Sequence, residues 1–289
     1  MKLPPFEVHR PASVAEVLTL RSELGDEAAL YAGGTELLLV MKLELADYSH
    51  LIDLKRVTEL GRLTVDDDSV TIGSAVTHLQ LESSPEVRRS FPALAAMAAG
   101  IGNVRVRNSG TLGGNLAFAD PHSDPATFLT ATGGLVELAS SSGRRTVAAE
   151  DFTTGAYTTV LADTEVLESV RVRIPEPDTT IVHRHVRFRE RPAVTVTVLI
   201  RKAGDEVADA RIAVGSVCAV PMRMTVVEQL LIDRPSDFEM PAREAVASAV
   251  DAVEDLDGSI RYKEHLAGEI VVRCVREAID GGPGEMTWN

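Results

Sequence analysis

Apolar residues recur at helical spacing over residues 13–24 (SVAEVLTLRSEL), with Ser13 suited to an N-cap and Gly25 to a stop. A short apolar strand is expected over 28–32, a turn at Gly33-Gly34-Thr35 and a helix over 36–43, giving the order strand, glycine turn, helix. HLIDL at 50–54 reads as another strand, and 63–75 as a hairpin turned by three aspartates. Thr77 opens a helix over 77–83, and an Ala-rich helix over 92–99 ends at Gly100. Farther on, 134–139 and 145–148 form a strand pair turned by Ser-Ser-Gly-Arg, and 166–174 alternates as a strand. Pro175 and Pro177 end that strand and mark the expected lobe boundary. Three successive strands (183–191, 193–201, 207–217) then precede three helices (224–231, 241–253, 262–278). Strands followed by helices predict an α+β lobe.

Composition narrows the partners. The chain has 289 residues, 45% of them apolar, enough for sizeable cores, and a formal net charge of −14. That charge argues against a nucleic acid or an anionic membrane surface, since both call for a basic face. No apolar run reaches a membrane span, and MKLPPFEVHRP has two prolines and Glu7 where a signal peptide carries its apolar segment, so a cytoplasmic location is expected. The two cysteines, Cys218 and Cys274, have no CxxC spacing and read as packed, reduced thiols. They cannot supply the four thiolates of an iron–sulfur cluster, so any such cluster must belong to another polypeptide.

Two glycine turns carry the candidate chemistry. Ala32-Gly33-Gly34-Thr35 precedes a helix, and Thr111-Leu112-Gly113-Gly114-Asn115 lies within RVRNSGTLGGNLAFADPHSDP. Backbone N–H groups freed by a tight turn point at an anion, and glycine admits a phosphate oxygen without a Cβ in its way. Neither turn fits G-x-G-x-x-G, and neither ends in Gly-Lys-Ser/Thr. As a pair they suit a diphosphate. Asp124 has two readings: it accepts hydrogen bonds from ribose hydroxyls, or with Asp120 it solvates the loop and caps a helix beginning near Pro125.

These turns, in this order and separation, resemble the FAD-binding medium subunits of the molybdenum hydroxylases, the group containing xanthine dehydrogenase and aerobic carbon monoxide dehydrogenase. AGGTELLLVMK, HLIDL, TIGSAVTHLQLESSP, SVRVRIP, VGSVCAVPMRM and GSIRYKEHLAGEIVVRCVREAI extend the resemblance over nearly the whole chain. It implies a p-cresol methylhydroxylase-type FAD domain of two subdomains, over 1–58 and 59–177. A C-terminal domain over 178–289, with a three-stranded antiparallel sheet and a helical bundle, would follow. It further implies FAD as cofactor, a small [2Fe–2S] partner, a large molybdopterin partner and electron transfer to an external acceptor. A free-standing flavin oxidoreductase and an FAD-free scaffold are the rival readings. Carried over by position, the resemblance puts Ala32, Gly33, Gly34 and Thr35 at the pyrophosphate, with Leu30 and Tyr31 leading in and Glu36 also counted as cofactor-binding. Thr111, Gly113, Gly114 and Asn115 become the second phosphate wall, Asp124 the adenosine-side carboxylate, and Val166 and Leu167 the apolar pair near flavin or adenine.

The chain departs from the family pattern at HRHVRFRERPAV, which lacks a later acid. Alternation predicts His183, His185, Arg187, Arg189 and Arg191 on one face, solvated or at an interface, with Val182, Arg184, Val186 and Phe188 on the other. Arg184 therefore needs a partner, either the flavin ring edge or a carboxylate. The basic strand Arg184 to Arg191 is the expected docking surface for a partner. No third ligand accompanies His183 and His185 in the sequence, so no metal is expected. His78 reads as a packed imidazole and His122 as a neighbour able to neutralise a phosphate when protonated. No Ser–His–Asp order or paired carboxylates appear, and no catalytic acid or base is assigned.

Overall fold

The computed structural model describes residues 3–233 and 237–280. Residues 281–289 of the last expected domain lie outside the described residues. The chain opens with β1 (Glu7–His9), α1 (Val14–Leu24), β2 (Ala28–Tyr31), α2 (Leu37–Lys42) and β3 (His50–Asp53). Ser13 caps α1 by accepting from Glu16 N, and Gly25 ends it at φ +54°, as the sequence predicts. The strands form a parallel sheet in the order β1-β3-β2.

β4 (Leu63–Val65) and β5 (Ser69–Gly73) make the expected hairpin. The helices α3 (His78–Ser83), α4 (Pro85–Ser90), α5 (Pro92–Ala99), α6 (Val104–Ser109), α7 (Leu112–Phe118) and α8 (Asp124–Thr132) follow. Thr77 and Gln80 close a capping box on α3. Next come β6 (Leu135–Ser140), β7 (Gly143–Ala148), α9 (Ala149–Phe152), the short pair β8 (Thr153–Gly155) and β9 (Thr158–Thr159), and β10 (Val166–Arg173). A five-stranded sheet runs β4-β5-β10-β6-β7. β10 does not alternate cleanly, because a register shift between Leu167 and Ser169 buries Val166 and Leu167 together. Val166 and Ala139 of this sheet share one core with Val14 and Val17 of α1 and Ile52 of β3.

The C-terminal part holds β11 (Thr179–Arg187), β12 (Pro192–Ala203), β13 (Glu206–Gly215), β14 (Met222–Arg223), α10 (Thr225–Asp233), α11 (Glu239–Ala249) and α12 (Ile260–Asp280). Its antiparallel sheet has four strands, β11-β12-β13-β14; the last is two residues long and beyond the three that were expected. Val194, Val196 and Val198 of β12 are all at 0% exposure. Burial of side chains of this size contributes about 1.5–3 kcal/mol each.

The chain forms two compact units that cross the expected boundaries. One comprises the residues up to Asp120 together with Gly134–Ile174, and the other Pro121–Gly133 together with the residues from Pro175 onward. The segment 121–133, expected inside the second FAD subdomain, packs with the second unit. The reason is α8, whose residues from Asp124 to Ala131 are all buried. Arg211 Nε of β13 donates to Ala131 O at 2.8 Å, and a Cβ on Gly215 would come within 2.0 Å of Thr127 Oγ1. Among the described residues, no helix is long and apolar enough to cross a membrane.

Candidate cofactor-binding site

The first unit brings the two glycine turns together. The 32–36 turn leaves β2 and enters α2, with Gly34 at φ +70°, a conformation that favours glycine. A Cβ on Gly34 would also lie 2.3 Å from the Tyr31 ring, and one on Gly33 would lie 2.2 Å from Ser109 O. Gly33 is thus required by backbone packing against the approach to the second turn. Across this contact, a Cβ on Gly114 would sit 3.9 Å from Ala32 Cβ.

The second turn is fixed by its own bonds. His78 N donates to Gly110 O, and Leu112 N to Val76 O, both at 3.0 Å, holding the segment before α7 against residues 76–78. Thr111 caps α7, accepting from Gly114 N at 3.0 Å, while Gly113 N donates to Ser74 O at 3.0 Å. Asn115 N donates to Thr111 O at 2.9 Å. The sequence reading of this turn as a row of N–H donors is therefore corrected: these donors are spent within the protein, and the turn offers a surface. Gly113 is buried, and a Cβ there would strike Ser74 Cβ at 2.3 Å. Gly114, by contrast, is exposed, and apart from Thr111 Oγ1 at 2.9 Å a Cβ there meets only Ala32. It is the glycine of α7 that faces outward beside the first turn.

Donors come from the first turn and its surroundings. Among the described residues, the N–H groups of Gly33, Gly34 and Thr35 have no protein acceptor. Thr35 is exposed, and its hydroxyl stands 3.5 Å from where a Gly110 Cβ would be. Ser74 Oγ is buried without a hydrogen-bond partner under Gly113. A cation missed in the sequence completes the group: Lys55 Nζ lies 3.7 Å over the Tyr31 ring, 3.1 Å from Asp53 Oδ1 and 3.5 Å from Ala32 O. Its only sequence signal is a position just after the HLIDL strand. Unpartnered donors, a nearby ammonium and an exposed glycine face fit the pyrophosphate of a dinucleotide.

Other expected residues lie differently. Leu30 packs into the core of α1 and β3, and Tyr31 packs with Leu37 and Leu38. Glu36 occupies the N-cap position of α2 without a side-chain cap bond. Val166 and Leu167 are 1% and 4% exposed, so their side chains are spent on packing.

In the second unit, Asp124 sits in the first turn of α8, which Ser123 caps, and is 4% exposed. Its carboxylate accepts from Thr195 Oγ1 at 3.0 Å and Arg187 Nη2 at 3.1 Å; His185 Nδ1 and His183 Nε2 lie 3.4 and 3.7 Å away. Burial opposes its ionisation, but His183 and His185 more than offset this and hold the carboxyl well below the usual range. The reading of Asp124 as a solvated helix cap is corrected. So is the solvated face of β11: His183, His185 and Arg187 turn inward onto Asp124, which is the third potential ligand that the sequence did not reveal. β11 ends at Arg187, so Arg189 and Arg191 fall in the following turn, off the predicted face, and Phe188 is half exposed. Arg184 finds its carboxylate in Glu277 of α12. With Arg184 and Arg187 neutralised, the expected basic docking strand is mostly compensated. His122 Nδ1 donates to Pro192 O at 2.6 Å. Cys218 and Cys274 are buried and free, and burial pushes their thiols up to about 11 and about 12.

Known proteins share this plan. The family model described as the FAD binding domain in molybdopterin dehydrogenase matches residues 4–177, and the CO dehydrogenase flavoprotein C-terminal domain matches 187–278. The carbon monoxide dehydrogenase medium chain of Hydrogenophaga pseudoflava is 35% identical over 95% of this chain and 97% of its own. The nicotine 6-hydroxylase medium subunit of Paenarthrobacter nicotinovorans is 34% identical over 96% of this chain and 99% of its own. Among solved structures, carbon monoxide dehydrogenase from Hydrogenophaga pseudoflava superposes with a TM-score of 0.93 at 34% identity, covering 96% of this chain and 98% of that one. Quinoline 2-oxidoreductase from Pseudomonas putida 86 gives 0.90 at 31%, covering 97% and 99%. With both domains matched in order and the glycine turns of the first brought together, the chain belongs to the family of FAD-binding medium subunits of the molybdenum hydroxylases.

Proposed function

We propose that this chain relays electrons within a three-subunit dehydrogenase, between the [2Fe–2S] clusters of a small subunit and an external acceptor, beside a large molybdopterin subunit. FAD, when bound, supplies a ring that accepts and releases electrons without a protein acid or base. In this reading the N–H groups of Gly33, Gly34 and Thr35 and the Thr35 hydroxyl hold the pyrophosphate. Lys55 offsets its charge, and Gly114 lets it lie close to α7. The architecture would be of the p-cresol methylhydroxylase type, two subdomains and a C-terminal α+β domain. Asp124 as an adenosine-side residue, Arg184 near the flavin edge, and Val166 and Leu167 near the rings rest on the family resemblance. Asp124 and Arg184 already have protein partners. The observation that carries the reading is the apposition of the two turns, with Gly114 facing Ala32.

The test is to express the chain alone and together with a candidate iron–sulfur subunit and a candidate molybdopterin subunit. The chain alone should be yellow, release FAD on denaturation and bleach only when the reduced iron–sulfur subunit is added. Rapid bleaching of the isolated chain by a small organic substrate would favour a free-standing oxidoreductase. Folded, colourless protein that takes up no added FAD would point to a scaffold.

A further inference from the structure

The edge of the parallel sheet gathers a second set of donors, away from the glycine turns. Glu7 and His9 are two residues apart on β1, so their side chains leave the same face. The parallel register pairs Glu7 with His50 of the central strand, which brings the His50 ring to that face as well. His9 Nε2 and His50 Nδ1 are 3.0 Å apart, Glu7 Oε2 is 3.8 Å from His50 Nδ1, and the three donor atoms lie within 4.8 Å of one another. We propose that Glu7, His9 and His50 form a binding site for a divalent transition metal of the zinc class, which clips the edge strand β1 to β3.

The two imidazole nitrogens aim at each other, so without a metal one ring must donate its N–H to the other's lone pair. An ion replaces that shared proton with one centre for both lone pairs. Zinc–nitrogen bonds of about 2.0–2.1 Å put two ligand nitrogens about 3.3 Å apart in a tetrahedral site and about 2.9 Å apart at right angles. The observed 3.0 Å falls between these values. Glu7 is 69% exposed, and its flexible side chain can close the remaining gap. Two imidazoles and one carboxylate select zinc, nickel, cobalt or copper over calcium and magnesium, whose preferred shells are all oxygen. The partial exposure of the group leaves the remaining coordination positions to water and the entrance open.

The other cluster of this composition, Asp124 with His183 and His185, is a poor competitor. Arg187 already places a guanidinium on Asp124, where a metal cation would sit, and Thr195 takes the other oxygen. At the β1–β3 edge, by contrast, the ion pair of Glu7 among the described residues is with the His50 ring itself, which is one of the proposed ligands.

The experiment uses the full, untagged, FAD-loaded chain and zinc alone as the probe, followed by calorimetry and equilibrium dialysis, with cobalt spectra to report nitrogen ligation. Wild-type protein should bind one zinc per chain and melt at a higher temperature when saturated. His9→Gln and His50→Gln should each weaken binding at least about tenfold and abolish the thermal shift, while leaving FAD content unchanged. His265→Gln, at an exposed position on α12, should bind zinc as the wild type does. Should an imidazole variant fail to fold, Glu7→Gln at its exposed position decides the matter: weaker zinc binding supports the site, and undiminished binding overturns it. Substoichiometric binding to wild type, or equal affinity in His9→Gln and His50→Gln, also overturns the proposal. Because every readout is zinc binding or melting, its failure leaves the FAD assignment standing.

Discussion

The Gly114→Ala variant separates a ligand-facing glycine from a packing glycine. The added Cβ would lie 2.9 Å from Thr111 Oγ1 and otherwise meet only Ala32 at 3.9 Å. Crowding the hydroxyl weakens the cap it provides to Gly114 N, a loss of about 1 kcal/mol. Alanine in place of glycine within a helix returns about 0.8–1.0 kcal/mol. The folded chain should therefore melt within a few degrees of wild type. A phosphate lying against Gly114, however, must retreat by the thickness of a methyl group, which stretches its bonds to the first turn. Loss of one hydrogen bond to a charged group costs about 1.5–3 kcal/mol, or about 10–150-fold in the FAD dissociation constant. The measurement is a titration of deflavinated protein followed by flavin fluorescence, paired with a melt in the absence of FAD. Gly113→Ala is the internal contrast: its Cβ meets Ser74 Cβ at 2.3 Å and Ser74 O at 2.7 Å, so stability should fall by about 1–3 kcal/mol or more. Unchanged FAD affinity in a stable Gly114→Ala protein would refute the phosphate assignment.

Three further outcomes are expected. Asp124→Ala leaves His183, His185 and Arg187 around an empty carboxylate position and should destabilise the second unit by about 3–5 kcal/mol, measured by urea unfolding; a loss below about 1 kcal/mol counts against that network. Because the folded pKa of Asp124 is depressed, its contribution is present above the unfolded value of about 3.9 and disappears as pH falls below it, so the variant should show a flatter stability profile in acid. Cys218 and Cys274, with thiols pushed up to about 11 and about 12 by burial, should resist a thiol reagent in native protein at mildly alkaline pH and react fully in denaturant; fast native labelling contradicts their packing.

Local signals were legible in the sequence where the physics is local. Ser13 and Gly25 bracket α1, Thr77 opens α3, and the aspartates turn the β4–β5 hairpin, because caps and turns depend on a few neighbouring residues. The glycine turns were visible for the same reason, but their contact, Gly33 against Ser109, joins residues distant in sequence. Lys55 over Tyr31 was hidden because its place depends on the parallel pairing of β2 with β3. The face of β11 was misjudged because polar residues were read as solvated, whereas Asp124 on α8 supplies a buried counter-charge. The allegiance of α8 left no periodic trace, since a helix buried on every side has no polar stripe to betray its orientation.

That allegiance bears on how the chain is made. α8 leaves the ribosome directly after the second glycine turn, yet Arg211, which bonds Ala131, is 80 residues farther along. At about 5–20 residues per second, the helix waits about 4–16 s of synthesis for that bond. Until β11, β12 and β13 have followed in turn, Phe128 and Leu129, both at 0% exposure in the finished protein, lack the cover those strands supply. A nascent chain arrested after β10 would present them to chaperones, and a gene cut at the 177/178 junction would separate the helix from the strands it packs against.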